Sequence, residues 1–171
     1  MTATSKTAQA IPKKIPTESA KQRDAIAVLT QDHEHVKALF EQYEALSDRS
    51  PAKKKKLAHE ICLELTRHAT AEEEIFYPAV REANGDNEDL IDEATVEHAS
   101  AKELIAQILA MEPADELYDA KVKVLSEQIE HHVKEEEGEM FPKAKKAKLD
   151  LAALGQAIEA RKEEVELPSV Q

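Results

Sequence analysis

Between residues 24 and 46, Ile26, Leu29, Val36, Phe40 and Tyr43 recur at helical spacing, with His33 in the same stripe. That spacing predicts an amphipathic helix, because positions three and four apart share one face, and Asp24 suits its N-cap. Ser50-Pro51 opens a second helix, with proline at the first position, and Asn84-Gly85 closes it. Its inward face reads Leu57, Ile61, Leu65, His68, Glu72, Ile75 and Ala79, and Pro78 inside it predicts a kink just past Glu72. A third helix over about 86 to 111 carries Ile91, Ala94, His98, Ala101, Ile105 and Leu109 on one face and stops before Pro113. A fourth begins near Asp115, carries Tyr118, Leu125, Ile129, His132, Glu136 and Met140, and is interrupted by Pro142. A shorter amphipathic segment follows from Asp150 to Glu164, expected to cover one end of the bundle.

This pattern predicts an all-α fold, an antiparallel up-down-up-down four-helix bundle. Residues 1–22 show no apolar period, hold two prolines, and are expected as a flexible tail; 23–148 form the bundle and 149–171 a C-terminal helix and tail. Only 3 glycines and no tryptophan fit helical composition, and 171 residues suffice for a single core.

A formal charge of −12 argues against nucleic acid and anionic membrane surfaces as partners. Cys62 is the single cysteine, so no intramolecular disulfide and no multi-thiolate metal site can form; it reads as a small residue flanking the core. No apolar run approaches the roughly 20 residues of a membrane span and no signal-peptide stretch opens the chain, so a soluble, cytoplasmic protein is expected. Lys53 to Lys56 read as solvated surface.

What changes the picture is an internal repeat. His68 and His132 are 64 residues apart, as are Glu72 and Glu136, Tyr77 and Phe141, and Pro78 and Pro142, while His33 and His98 are 65 apart. Each half is a helix with one inward histidine, followed by a helix with inward His-x-x-x-Glu, an aromatic residue and a proline. One His-x-x-x-Glu alone reads as a buried ion pair. Duplicated and packed antiparallel, the halves bring His33, His68, Glu72, His98, His132 and Glu136 to similar depths in one bundle. His35, His59 and His131 fall off the apolar faces and read as surface residues; Glu73, Glu74, Glu135 and Glu137 point away from the core and read as solvated, the alternative being that one of them accepts the N–H of a ligand imidazole.

A buried carboxylate needs a partner, because leaving it unpaired costs several kcal/mol. Imidazole and carboxylate together suit iron, manganese or zinc, and two carboxylates from opposing helices can bridge a pair of ions. Two six-coordinate ions need about 12 bonds; four imidazoles, two bridging carboxylates and a bridging oxide or hydroxide leave about two positions open. A metal-free polar core is the alternative, and it requires a protein partner for every buried donor and acceptor.

These motifs, Asp32-His33, His68-x-x-x-Glu72 before Phe-Tyr-Pro, Glu97-His98, and His132-x-x-x-Glu136 before Met-Phe-Pro, resemble the hemerythrin-like HHE cation-binding family over about residues 24 to 145. The resemblance implies a bundle around a non-haem di-iron centre, oxo- or hydroxo-bridged, that binds or turns over O2, peroxide or nitric oxide. It departs from O2-carrying hemerythrins, which resemble a five-histidine pattern: Lys102 stands four residues after His98, and Glu136 stands in place of an aspartate. The pattern is more similar to the bacterial stress-associated branch, which implies catalase-like peroxide decomposition or nitric-oxide processing. An iron or redox sensor, or a metal-binding protein without turnover, is the alternative. The sequence leaves the oligomeric state open.

Overall fold

The structure, a computed structural model, describes residues 23–83 and 85–169; the expected N-terminal tail lies outside the described residues. Every regular element among them is helical. The first helix, α1 (Ala25–Glu44), starts on Asp24, whose side chain accepts the Ala27 N–H at 2.8 Å. The second rod comprises α2 (Pro51–Ala71), a π-helical turn (Glu72–Phe76) and α3 (Tyr77–Ala83). A 3-10 turn (Gly85–Asn87) leads into α4 (Glu88–Leu109). The fourth rod comprises α5 (Tyr118–Glu135), a second π-helical turn (Glu136–Met140) and α6 (Phe141–Lys146), and α7 (Leu151–Glu164) follows.

The four rods alternate in direction and close a bundle, α1 beside α2, α2 beside α4, α4 beside α5 and α5 beside α1. Two apolar clusters fill it. One contains Phe40, Ile61, Leu65, Ile105, Ile108, Tyr118 and Leu125, and the other Leu29, Phe76, Val80, Ile91, Met140 and Phe141. Fully burying side chains of this size stabilises by about 1.5–3 kcal/mol each. Cys62 belongs to the first cluster, and burial pushes its thiol up to about 12. The histidines fall between the clusters, so the repeat becomes one polar layer crossing the bundle.

Both expected proline interruptions take the form of π turns placed just before the proline. The Tyr77 N–H reaches back five residues to the Glu72 carbonyl, and the Phe141 N–H does the same to Glu136. Proline lacks an N–H, and its ring crowds the carbonyl four residues earlier, so a locally widened turn accommodates it without ending the rod.

The C-terminal helix covers the cluster around Phe76 and Phe141 by lying against α1 and α2, with Ile158 fully buried in it. Gly155 permits this approach, since a Cβ there would overlap the Arg23 carbonyl oxygen and lie 2.7 Å from the Asp24 carbonyl carbon. Arg161 pairs with Glu74 at 2.6 Å, and the Arg67 guanidinium donates to the Val165 carbonyl at 3.2 Å. Lys54 differs from its solvated expectation. It is buried, 3.0 Å from Asp119 and 3.3 Å from Asp48, while Tyr43 donates to Asp119 at 2.6 Å. No helix is long and apolar enough to cross a membrane among the described residues.

Candidate metal centre

All six residues singled out by the repeat meet in the polar layer, none more than 8 % exposed. They come from four rods: His33 from α1, His68 and Glu72 from the second, His98 from α4, His132 and Glu136 from the fourth. The imidazoles form two pairs, with His33 Nε2 3.2 Å from His68 Nε2 and His98 Nε2 3.1 Å from His132 Nε2.

Each glutamate spans both pairs. Glu72 Oε1 lies 3.1 Å from His68 Nε2, and its Oε2 lies 3.3 Å from His98 Nε2. Glu136 Oε1 lies 3.1 Å from His33 Nε2, and its Oε2 lies 3.3 Å from His132 Nε2. One point thus faces His33, His68 and an oxygen of each glutamate, all within 4.8 Å of one another, and the other faces His98, His132 and Glu72, with Glu136 Oε2 near His132 alone of the two imidazoles, at 3.3 Å. Glu72 Oε1 and Glu136 Oε1 are enclosed yet accept no hydrogen bond. Orphaned buried carboxylate oxygens directed toward imidazole nitrogens are poorly satisfied by protein alone and are suited to a cation, so this donor set fits a pair of metal ions.

Around this layer stand four outer carboxylates, three of them hydrogen-bonded to an imidazole. Asp32 on α1 bonds His68 Nδ1 at 3.0 Å, and Glu97 on α4 bonds His132 Nδ1 at 2.6 Å. Glu73, beside Glu72, lies 3.4 Å from His98 Nδ1, and Glu137, beside Glu136, bonds His33 Nδ1 at 2.8 Å. Each rod therefore sets a carboxylate beside the histidine of the next, hydrogen-bonded at His68, His132 and His33, whereas His98 Nδ1 is enclosed without a hydrogen bond. A carboxylate on Nδ1 holds the proton there and leaves Nε2 to face inward as a ligand. Glu73 and Glu137 thus depart from their solvated expectation. They sit at the bundle edge, where an inward imidazole presents its outer nitrogen.

Tyr77 is the site residue that helical periodicity passed over. Its hydroxyl donates to Glu136 Oε2 at 2.8 Å and Glu72 Oε2 at 3.2 Å, and lies 3.3 Å from His98 Nε2. In a regular α-helix a residue five positions after Glu72 would face elsewhere; the π turn returns it to the same side. The aromatic-proline doublet was its signal. At the equivalent place Phe141 stacks on His33, centroids 5.8 Å apart, as Tyr77 stacks on His98 at 5.5 Å. Burial first, then the charges of Glu72 and Glu136, push the Tyr77 hydroxyl far up, so it keeps its proton to donate.

Electrostatics bind the layer together. Burial alone would raise the Glu72 carboxyl, but His68 first and then His98 hold it well below the carboxylate range. Burial likewise pushes His68 down, but Glu72 and Asp32 hold it well above the ordinary imidazole value. His132 rises to about 9 against its own burial, through Glu136 first. Imidazolium and carboxylate attract one another across the layer, and a divalent cation would take the place of those protons.

Of the three histidines set aside, His35 and His131 are exposed, whereas His59 is half-buried with an enclosed, unbonded Nε2. Between the imidazoles and the first apolar cluster lies a cavity of about 30 Å³ whose walls include Val36, Leu65, Ala101, Ile105 and Val133.

Comparison with known proteins gives the family. The family model described as "Hemerythrin HHE cation binding domain" matches residues 24–144. A curated relative from Nostoc sp. (strain PCC 7120 / SAG 25.82 / UTEX 2576), a DNA nickase, is 34% identical over 116 residues; the match covers 67% of this chain and 31% of that protein. The chain thus spans about a third of that relative's length. A solved hemerythrin HHE cation binding domain-containing protein from Mycobacterium kansasii superposes with a TM-score of 0.71 at 26% identity, covering 83% of this chain and 86% of that one. With the family matched across the whole four-rod bundle, the chain belongs to the hemerythrin HHE cation binding domain family.

Proposed function

We propose that this chain holds two iron ions in its polar layer and binds and turns over a small oxidant, peroxide before O2 or nitric oxide. One observation carries the proposal: each of Glu72 and Glu136 directs one oxygen to the His33/His68 pair and the other to the His98/His132 pair. On this reading His33, His68, Glu72 and Glu136 would hold one ion, and His98, His132 and Glu72, with Glu136 beside His132, would hold the other. Manganese and zinc suit the same donors; iron is favoured because a two-electron oxidant matches two ions that each change by one electron. When bound, such a pair supplies two electrons that convert one H2O2 and two protons to two waters, and recovers them by oxidising a second H2O2 to O2 and two protons.

The chain's own residues set the conditions for this. The cavity of about 30 Å³ admits one molecule of roughly water or peroxide size and excludes larger substrates. Its aliphatic walls keep bulk water away from the imidazoles. On the opposite side, Tyr77 and Phe141 close the layer, and the Tyr77 hydroxyl orients both glutamates. The outer carboxylates bonded to His33, His68 and His132 keep those imidazoles in place while the cavity side exchanges ligands. The match covers 31% of the Nostoc protein and so does not extend that protein's activity on DNA to this chain, whose charge of −12 opposes contact with a polyanion.

The test is anaerobic, reduced, iron-loaded protein given peroxide, O2, nitric oxide and azide in turn. Peroxide consumption with one O2 released per two peroxides, and a visible-spectrum change with the small ligands, are expected. Protein that binds two irons yet neither consumes peroxide nor changes its spectrum would overturn the proposal.

A further inference from the structure

The four outer carboxylates are not equal in protection. Asp32, on the α1/α2 face, is paired with Lys162 of α7, which lies over that face. Glu73, on the α2/α4 face, is paired with Lys102. Glu97, on the α4/α5 face, has His131 Nε2 at 3.5 Å. Glu137, on the remaining face, bonds His33 Nδ1 and has no lysine or arginine within ion-pair distance among the described residues; its side chain is 41% exposed.

That face also carries a groove of about 460 Å³ between α1 and the fourth rod, reaching from solvent to His33. Five glutamates line it, among them Glu34, Glu130 and Glu137, against Lys37 and Lys134. His33, Ile129 and Val133 line both this groove and the inner cavity of about 30 Å³, so they form the partition between solvent and the polar layer. A concave surface lined mainly by one sign of charge raises the local concentration of the opposite ion and its rate of arrival.

We propose that divalent cations enter the polar layer through this groove, with Glu137 the last carboxylate met before His33. Rotation of Glu137 away from His33 Nδ1 into the groove presents a carboxylate to the incoming ion, and return of the side chain restores the hydrogen bond that orients the imidazole. On two of the other faces the carboxylate is held by a lysine, Asp32 also lying under α7, and on the third Glu97 is 23% exposed against 41% for Glu137. This proposal rests on the two-ion reading above and adds a direction of entry to it.

The test uses the full chain, freed of metal by chelation, and Co(II), whose ligand-field absorbance reports uptake by stopped flow. Glu34→Lys with Glu130→Lys reverses charge on the groove. Glu103→Lys with Glu127→Lys changes the net charge equally on α4 and α5 at exposed positions outside the groove. At low ionic strength the groove pair should load about tenfold more slowly than the control pair, with the difference shrinking at high salt and both ending at two cobalt ions per chain. Glu137→Gln, which keeps an acceptor for His33, should also slow uptake at the same final count. If the groove pair loads as fast as the control pair, the entry route is wrong. If wild-type protein takes up no cobalt at equilibrium, the two-ion reading fails instead.

Discussion

Tyr77 and Phe141 occupy equivalent places in the two halves of the chain, but only Tyr77 carries a hydroxyl, which donates to Glu136 across the bundle at 2.8 Å. The duplicated layer is therefore asymmetric: one π turn supplies a hydrogen bond to the glutamates and the other only a ring. Tyr77→Phe makes the halves alike and leaves Glu136 Oε2 short of a donor. Chelated Tyr77→Phe should lose about 1–3 kcal/mol of stability in denaturant titration while still binding two ions. An unchanged midpoint would show that the hydroxyl does not support the layer.

The outer carboxylates should act on affinity, not on stoichiometry. Asp32→Asn and Glu97→Gln remove charge behind His68 and His132 without removing an inward donor. Competition against a chromophoric chelator should show metal affinity about 10–100-fold weaker in each, with two ions still bound at saturation. Wild-type affinity in both variants would mean that these carboxylates are only a surface feature.

Gly155 tests the seating of α7. Its missing Cβ is what lets α7 meet the backbone at Arg23 and Asp24, so Gly155→Ala should cost about 1–3 kcal/mol through overpacking. The metal count should not change, since α7 supplies none of the inward donors. Full wild-type stability would show that α7 does not hold this position.

Far from the layer, the Lys54–Asp119–Tyr43 cluster sets a pH dependence. The Tyr43 hydrogen bond, then Lys54, lowers the Asp119 carboxyl. A carboxyl lowered on folding contributes stability above its unfolded value, near 4, and loses it as pH falls through the folded value. Lys54 is raised, chiefly by its hydrogen bond to Asp119, so its share persists up to its unfolded value, near 10, and is lost as pH rises through the folded value. In chelated protein, the difference in denaturant midpoint between wild type and Asp119→Asn should be flat from about pH 6 to 9 and shrink toward pH 3. A difference independent of pH down to pH 3 would rule out an ionised Asp119 as the source.

The four long helices were legible because their inward faces, such as Ile26-Leu29-Val36-Phe40, keep a 3.6-residue period, and helix starts follow the Asp24 cap and the proline at the first position, Pro51, where Ser50 makes no capping hydrogen bond. The convergence of His33, His68, Glu72, His98, His132 and Glu136 was legible because the spacing repeats. Glu73 and Glu137 were not, since adjacency to an inward glutamate places them about 100° away on an ideal helix, and only the tertiary fold shows which imidazole nitrogen they meet. Tyr77 needed the π turn, whose five-residue return is absent from any regular helical period. Lys54 stands in a run of four lysines, and its partner Asp119 lies 65 residues away, a separation that helical patterning does not bridge.

The sharing of one carboxylate between two imidazole pairs is tested most directly by counting iron per chain in wild type and Glu72→Ala, both loaded anaerobically and freed of loose metal. Because Glu72 Oε1 faces His68 and Oε2 faces His98, two irons are predicted in wild type and weakened binding of both in the variant. Retention of two irons by Glu72→Ala, or loss of only one, would contradict a carboxylate shared between two ions.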